Sequence, residues 1–218
     1  MTQANVSETT PEDILSFWFP DSLIRLDGDD HVAFWTSRMQ GGMDAAILDL
    51  HADLTRAGAQ GLLDAWAETP RGRLALILVL DQFPRSLWRD TPGAFAQDIK
   101  ATRLALEGLE NGHYDALDHP WEKNFYLIAM SHCEGPEHLE RMDRVVALAE
   151  REVASMTGPV AERYDEMGNQ PRRVREIIRR FGRHPHRNAI YGRVSTPDEE
   201  VYIAEGVFPH ERKIGAQD

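Results

Sequence analysis

The chain has 218 residues, 42% of them apolar and 28% charged, with a formal net charge of −12 and a pI near 5.2. That apolar content supports a sizeable core and excludes a disordered chain, and the acidity argues against nucleic acid or an anionic membrane as a partner, since such docking faces need positive charge. The longest apolar run, Leu74 to Leu80, is far shorter than the roughly 20 residues that span a bilayer, and Cys133 is the single cysteine. With no basic or apolar leader at the N-terminus, the expected setting is reducing and cytoplasmic.

Along the chain, Thr10-Pro11-Glu12-Asp13 reads as a helix start. The Thr hydroxyl accepts from an orphan N–H, Pro at the first helical position loses no bond, and the acids complement the dipole. Ile14, Leu15, Trp18 and Phe19 follow at helical spacing, and Pro20 ends the segment. Further helices are expected at about Asp30 to Arg38, Met43 to Ala57 and Gly61 to Ala67. Thr69-Pro70 opens the Leu74–Leu80 run, whose Leu- and Ala-rich content predicts a helix buried all round over Pro70 to Asp81. Thr91-Pro92 starts the next, to about Glu107, and others are expected at Pro120 to Ser131, Pro136 to Ser155, Pro159 to Met167 and Pro171 to Phe181. Thr196-Pro197-Asp198-Glu199 starts the last, to Glu205, with a loose end from Lys213 to Asp218. No second strand-like segment pairs with the apolar run. The fold class is therefore all-α: one domain over 1–218, its core about 11–205, built as a compact array of antiparallel helix hairpins.

The charge is uneven. Residues 170–193 hold eight of the 24 basic residues and one of the 36 acidic ones, so a +7 segment is set against −19 for the remainder. Arg172, Arg175, Arg179 and Arg183 share one helical stripe opposite Val174, Ile177, Ile178 and Phe181, with Gly182 placed as a left-handed C-terminal residue. Such arginines equally serve to pair with surface carboxylates. The next loop, Gly182-Arg183-His184-Pro185-His186-Arg187-Asn188, concentrates guanidinium groups, imidazoles and an amide, which suits carboxylate or phosphate oxygens and proton handling. A second cluster is Asp81-Gln82-Phe83-Pro84-Arg85, where a carboxylate at the end of an apolar helix needs a partner. It either braces two helices as an ion pair or orients a catalytic base. The third is Ser131-His132-Cys133-Glu134. His132 and Cys133 are helical neighbours about 100° apart, which disfavours a thiol nucleophile and leaves His132 and Glu134 as pocket members. The His spacing fits no metal template, and the Walker, dinucleotide and Gly-x-Ser-x-Gly patterns are missing, so neither metal nor cofactor is expected.

Several ordered motifs together carry a resemblance. They are Ile14-Leu-Ser-Phe-Trp-Phe19, Leu80-Asp-Gln-Phe-Pro-Arg85, Phe95-Ala-Gln-Asp98, His132-Cys-Glu134, Phe181-Gly-Arg-His-Pro-His-Arg-Asn188 and Gly192-Arg-Val-Ser-Thr-Pro197. Over about Pro11 to Glu205 the chain resembles the bacterial family known as domain of unknown function 924. The resemblance implies a tetratricopeptide-repeat-like α-α superhelix. It also implies that Cys133, His184 and Val174 stand where Ser, Phe and His are usual, which further weakens roles for the first two.

The expected site has Asp81, His132, Glu134 and His186 as acid–base residues and Arg85, Arg183, Arg187 and Asn188 as the anion-binding set. The favoured partner is an anionic small molecule held in a pocket, with enzymatic acid–base chemistry there. The alternative is a tetratricopeptide-like interaction module whose arginine-lined groove takes an acidic peptide or protein.

Overall fold

A computed structural model describes residues 3–21, 23, 28–157, 165–206 and 208. Among these residues there is no strand, and the element order is α1 (Gln3–Glu8), α2 (Pro11–Trp18), α3 (Gly28–Ser37), α4 (Asp44–Leu50), α5 (Ala52–Ala59), α6 (Pro70–Asp81), α7 (Phe83–Leu87), α8 (Asp98–Glu110), α9 (Pro120–His132), α10 (His138–Ser155), α11 (Asp165–Phe181) and α12 (Pro197–Glu205). A five-residue π turn, Arg38–Gly42, extends α3, and short 3-10 turns cover Asp64–Glu68, Pro92–Phe95 and Pro185–Arg187.

Three of the four Thr-Pro pairs cap as their chemistry predicts. Thr10 and Thr196 form reciprocal capping boxes with Asp13 and Glu199, and Thr69 accepts from the Gly72 amide. Thr91 differs: its hydroxyl donates to the Trp88 carbonyl at 2.7 Å, and only a 3-10 turn follows, so α8 begins six residues later than expected. The span expected from Met43 to Ala57 breaks at His51, and α11 begins before Pro171 and runs through it. Most of the helix expected from Pro159 to Met167, and the end from Lys213, lie outside the described residues.

Helix α6 is the axis of the fold. Every residue from Gly72 to Asp81 is buried, and α2, α5, α7, α8, α9 and the Asp64–Glu68 turn pack around it. This is why its sequence is apolar without periodicity: no face is left for water. Arg73 enters this core only because its guanidinium is satisfied, by the carbonyls of Leu104 and Ala67 (3.0 and 2.9 Å), by His113 and by Glu107. Glycines permit the closest approaches; a Cβ on Gly108 would stand 2.6 Å from Tyr126 Cε1 and 2.9 Å from Arg73 Cδ. The consecutive helices α8, α9, α10 and α11 pack pairwise, as hairpins with short connections do. Together these contacts bring the C-terminal ends of α6 and α9, the N-terminal end of α8 and the 182–193 loop to one place.

Candidate functional site

Asp81 ends α6 with no exposed surface. A carboxylate at a helix C-terminus meets the negative end of the dipole, so the position demands cations and donors. Three neighbours supply them: His132 Nδ1 at 2.8 Å, Gln82 Nε2 at 2.5 Å and Arg85 Nη1 at 3.3 Å. Arg85 spans from Asp81 to Asp98, its Nη2 lying 2.8 Å from Asp98 Oδ1. Arg187 completes the set, donating from Nη1 to Asp98 Oδ2 at 3.1 Å and to the His132 carbonyl at 2.9 Å. Phe95 covers both guanidinium groups, with its ring centroid 4.3 Å from that of Arg187 and 5.6 Å from that of Arg85.

Two carboxylates and two guanidinium groups thus form a charge-balanced quartet that holds His132. Burial alone would raise the Asp81 carboxyl, but Arg85 and His132 outweigh it and keep it well below the usual carboxylate range. Burial, with Arg85 adding to it, lowers His132 against the opposing pull of Asp81, so the imidazole is neutral at neutral pH. Since ionised Asp81 only accepts, Nδ1 carries the proton and Nε2 is the basic nitrogen.

A cleft of about 610 Å³ opens beside the quartet, and His132, Gln82, Arg85, Arg187 and His186 line it. Five arginines stand on its walls (Arg38, Arg85, Arg89, Arg173 and Arg187) against two aspartates, Asp44 and Asp90. The remaining wall is aromatic. Trp18, Phe125 and Trp35 are linked by ring contacts at 5.6 and 5.5 Å, and His31 joins Trp35 to Trp121 at 6.3 and 5.1 Å.

Of the residues expected from sequence, Asp81, Arg85, His132, His186 and Arg187 converge here, Asp81 from behind the wall. Glu134, Arg183 and Asn188 lie outside the cleft lining and have other partners. Glu134 accepts from the His184 amide at 2.8 Å and pairs with Arg193 at 2.5 Å. Arg183 grips Glu199 through two bonds of 2.6 and 2.7 Å, and Asn188 donates to Ser195 Oγ at 3.0 Å. Glu134 ties the 182–196 segment to the chain just past α9, Arg183 ties it to α12, and Asn188 braces it internally, and together they position the loop that carries Arg187. The stripe arginines Arg172, Arg175 and Arg179 pair on the surface with Glu150, Asp143 and Glu176. Burial pushes the Cys133 thiol up, and its Sγ donates to the Glu134 carbonyl, which is the opposite of an activated nucleophile. Among the described residues no cluster of three or more potential ligands suits a metal ion.

Asp98 was missed as a site residue, although a signal existed. Asp98, Ala101, Thr102, Ala105 and Gly108 form the buried stripe of α8, so an acid sits on its core face. Arg38, Trp35 and Trp121 had no such local mark.

Fold and site define an all-α protein with an Arg- and His-walled cleft beside a buried carboxylate–imidazole pair. The chain belongs to the family described as bacterial protein of unknown function, DUF924, whose profile matches residues 14–207. It is similar to the solved structure of a protein of unknown function, ATU0120, from Agrobacterium tumefaciens. The two share 30% identity and a TM-score of 0.67, over 94% of this chain and 100% of that one. Among curated proteins none matches the chain. No helix among the described residues is long and apolar enough to cross a membrane.

Proposed function

We propose that the cleft binds an anionic small molecule and that His132, oriented by Asp81, exchanges a proton with it. The observation that carries this reading is the 2.8 Å contact between Asp81 and Nδ1 of a neutral imidazole in the wall of a cleft. A carboxylate that fixes the tautomer leaves Nε2 as a general base, and the cleft volume falls within the roughly 300–1,000 Å³ of small-molecule sites. Arg85 and Arg187, paired with Asp81 and Asp98, place guanidinium N–H donors in the wall beside that base, where charge develops on a substrate. His186 completes the polar wall, and burial, reinforced by Arg187, pushes it down to about 3, so it acts there as a neutral ring.

The second reading is an interaction module for an acidic peptide, which the same arginine wall and the paired helices α8 to α11 would serve. Side chains from α2, α3, α4, α7, α9 and α11 surround the cleft, which suits a compact ligand better than an extended one. A thermal-shift screen of anionic metabolites and acidic peptides separates the two. Ligand at 100 times its Kd stabilises the fold by about 2.7 kcal/mol. Small anions that stabilise the wild type and lose that effect in Arg187→Gln support the cleft; stabilisation by peptides alone transfers the function to the module.

A further inference from the structure

We propose that Arg38 anchors the ligand of this cleft, taking the carboxylate of an organic acid whose apolar body lies on the Trp18, Phe125 and Trp35 wall. This rests on the cleft being the ligand site, and it names the class of ligand. The case begins with charge. Arg85 and Arg187 already share Asp81 and Asp98, and Arg89 is held by Asp44 at 2.6 Å. Among the described residues no carboxylate lies within ion-pair distance of Arg38. Its guanidinium donates to the Phe17 carbonyl at 3.3 Å and to the Met43 sulfur, and it lies over aromatic faces, 4.2 Å from the Phe34 centroid and 5.9 Å from that of Trp18. Burial lowers it to about 10, as expected for a cation held away from water without a counter-ion.

An unneutralised guanidinium is costly to keep in such a place, and an arriving carboxylate removes the cost. This corner is desolvated throughout: Arg38 Nε and the indole Nε1 of Trp18, whose side chain is 3% exposed, are both buried without an acceptor, and both residues line the cleft. The planar fork matches a carboxylate. Arg38 also begins the π turn Arg38–Gly42, in which Gly41 takes a φ of 99°.

Tryptophan emission tests this directly, since Trp18, Trp35 and Trp121 line the cleft. The full chain is titrated with phenylacetate and hexanoate, with their amides phenylacetamide and hexanamide, and with inorganic phosphate. Each acid is expected to bind about tenfold or more tighter than its amide, the difference a charge-assisted pair makes. In Arg38→Gln acid and amide converge, and in Arg38→Lys part of the preference survives. Should Arg38→Gln fail to fold, the wild-type comparison and Arg38→Lys carry the test. Equal binding of acid and amide by the wild type, full preference in Arg38→Gln, or silence toward both acids overturns the assignment. Phosphate binding that is lost in Arg187→Gln and kept in Arg38→Gln also overturns it, while leaving the cleft reading in place. Loss of every anion response in the wild type removes both.

Discussion

At the scale of single residues, the buried charges decide most. Asp98 serves two guanidinium groups at once, so Asp98→Asn leaves Arg85 and Arg187 under-compensated in a buried site. Breaking a buried pair from one side costs about 3–5 kcal/mol, whereas an exposed pair contributes about 1 kcal/mol or less. Urea unfolding should therefore show a large loss for Asp98→Asn and almost none for Arg172→Ala, whose pair with Glu150 is about half exposed on both sides. Comparable losses in the two variants would contradict the buried quartet. Histidine protonation makes stability pH-dependent in a definite direction. Burial and Arg187 push His186 down to about 3, and burial with Arg141 takes His138 to about 4. The unfolded chain takes these protons first as pH falls through about 6.5, so this stability is present above that value and is lost on acidification toward the folded values. Each histidine adds up to about 1.4 kcal/mol per pH unit to the slope. Urea midpoints at about pH 7.5 and about pH 5 should differ less in His186→Gln than in the wild type; an unchanged difference would mean that His186 does not stay neutral.

At the scale of elements, caps and close contacts set what the helices tolerate. Thr196 caps α12 and its partner Glu199 also holds Arg183, so one capping box fixes both the helix and the arginine loop. Thr196→Ala should cost about 1 kcal/mol in unfolding free energy, and backbone amide exchange should accelerate in α12 and the 182–196 segment before it does in α6. Uniform protection in that variant would show that the cap is not what ties them. Gly108→Ala pits propensity against packing. Helix propensity alone favours Ala by about 1 kcal/mol, yet the new Cβ would press on Tyr126 and Arg73 at 2.6 and 2.9 Å. Overpacking costs about 1–3 kcal/mol, so the melting temperature should fall. A rise would mean that α8 and α9 separate easily. The same balance explains what was legible here. Thr10, Thr69 and Thr196 cap as expected because capping needs only groups within one turn. Thr91 does not, because its hydroxyl finds the preceding Trp88 carbonyl, a choice made by the turn between α7 and α8.

At the scale of the whole molecule, α6 is the element around which α2, α5, α7, α8 and α9 pack. Leu78→Ala removes a fully buried side chain from it and should destabilise by about 2–5 kcal/mol, while Leu62→Ala, at a position 71% exposed, should stay within about 0.5 kcal/mol. Similar values for both in chemical denaturation would deny α6 its central place. The sequence by itself determined the all-α class, the span Pro70–Asp81 with its all-round burial, the last helix Pro197–Glu205, and the need of Asp81 for a cationic partner. Each follows from local chemistry: apolar content without periodicity, a cap within one turn, a charge beside a hydrophobic run. The tertiary structure alone decided which arginine meets which acid. Arg183 and Arg187 lie four residues apart with the same side chain, yet one braces Glu199 on α12 and the other reaches Asp98, 89 positions away in the chain. It also decided that no carboxylate among the described residues lies within ion-pair distance of Arg38, because pairing over such separations depends on how helices pack, and no local pattern records an absence.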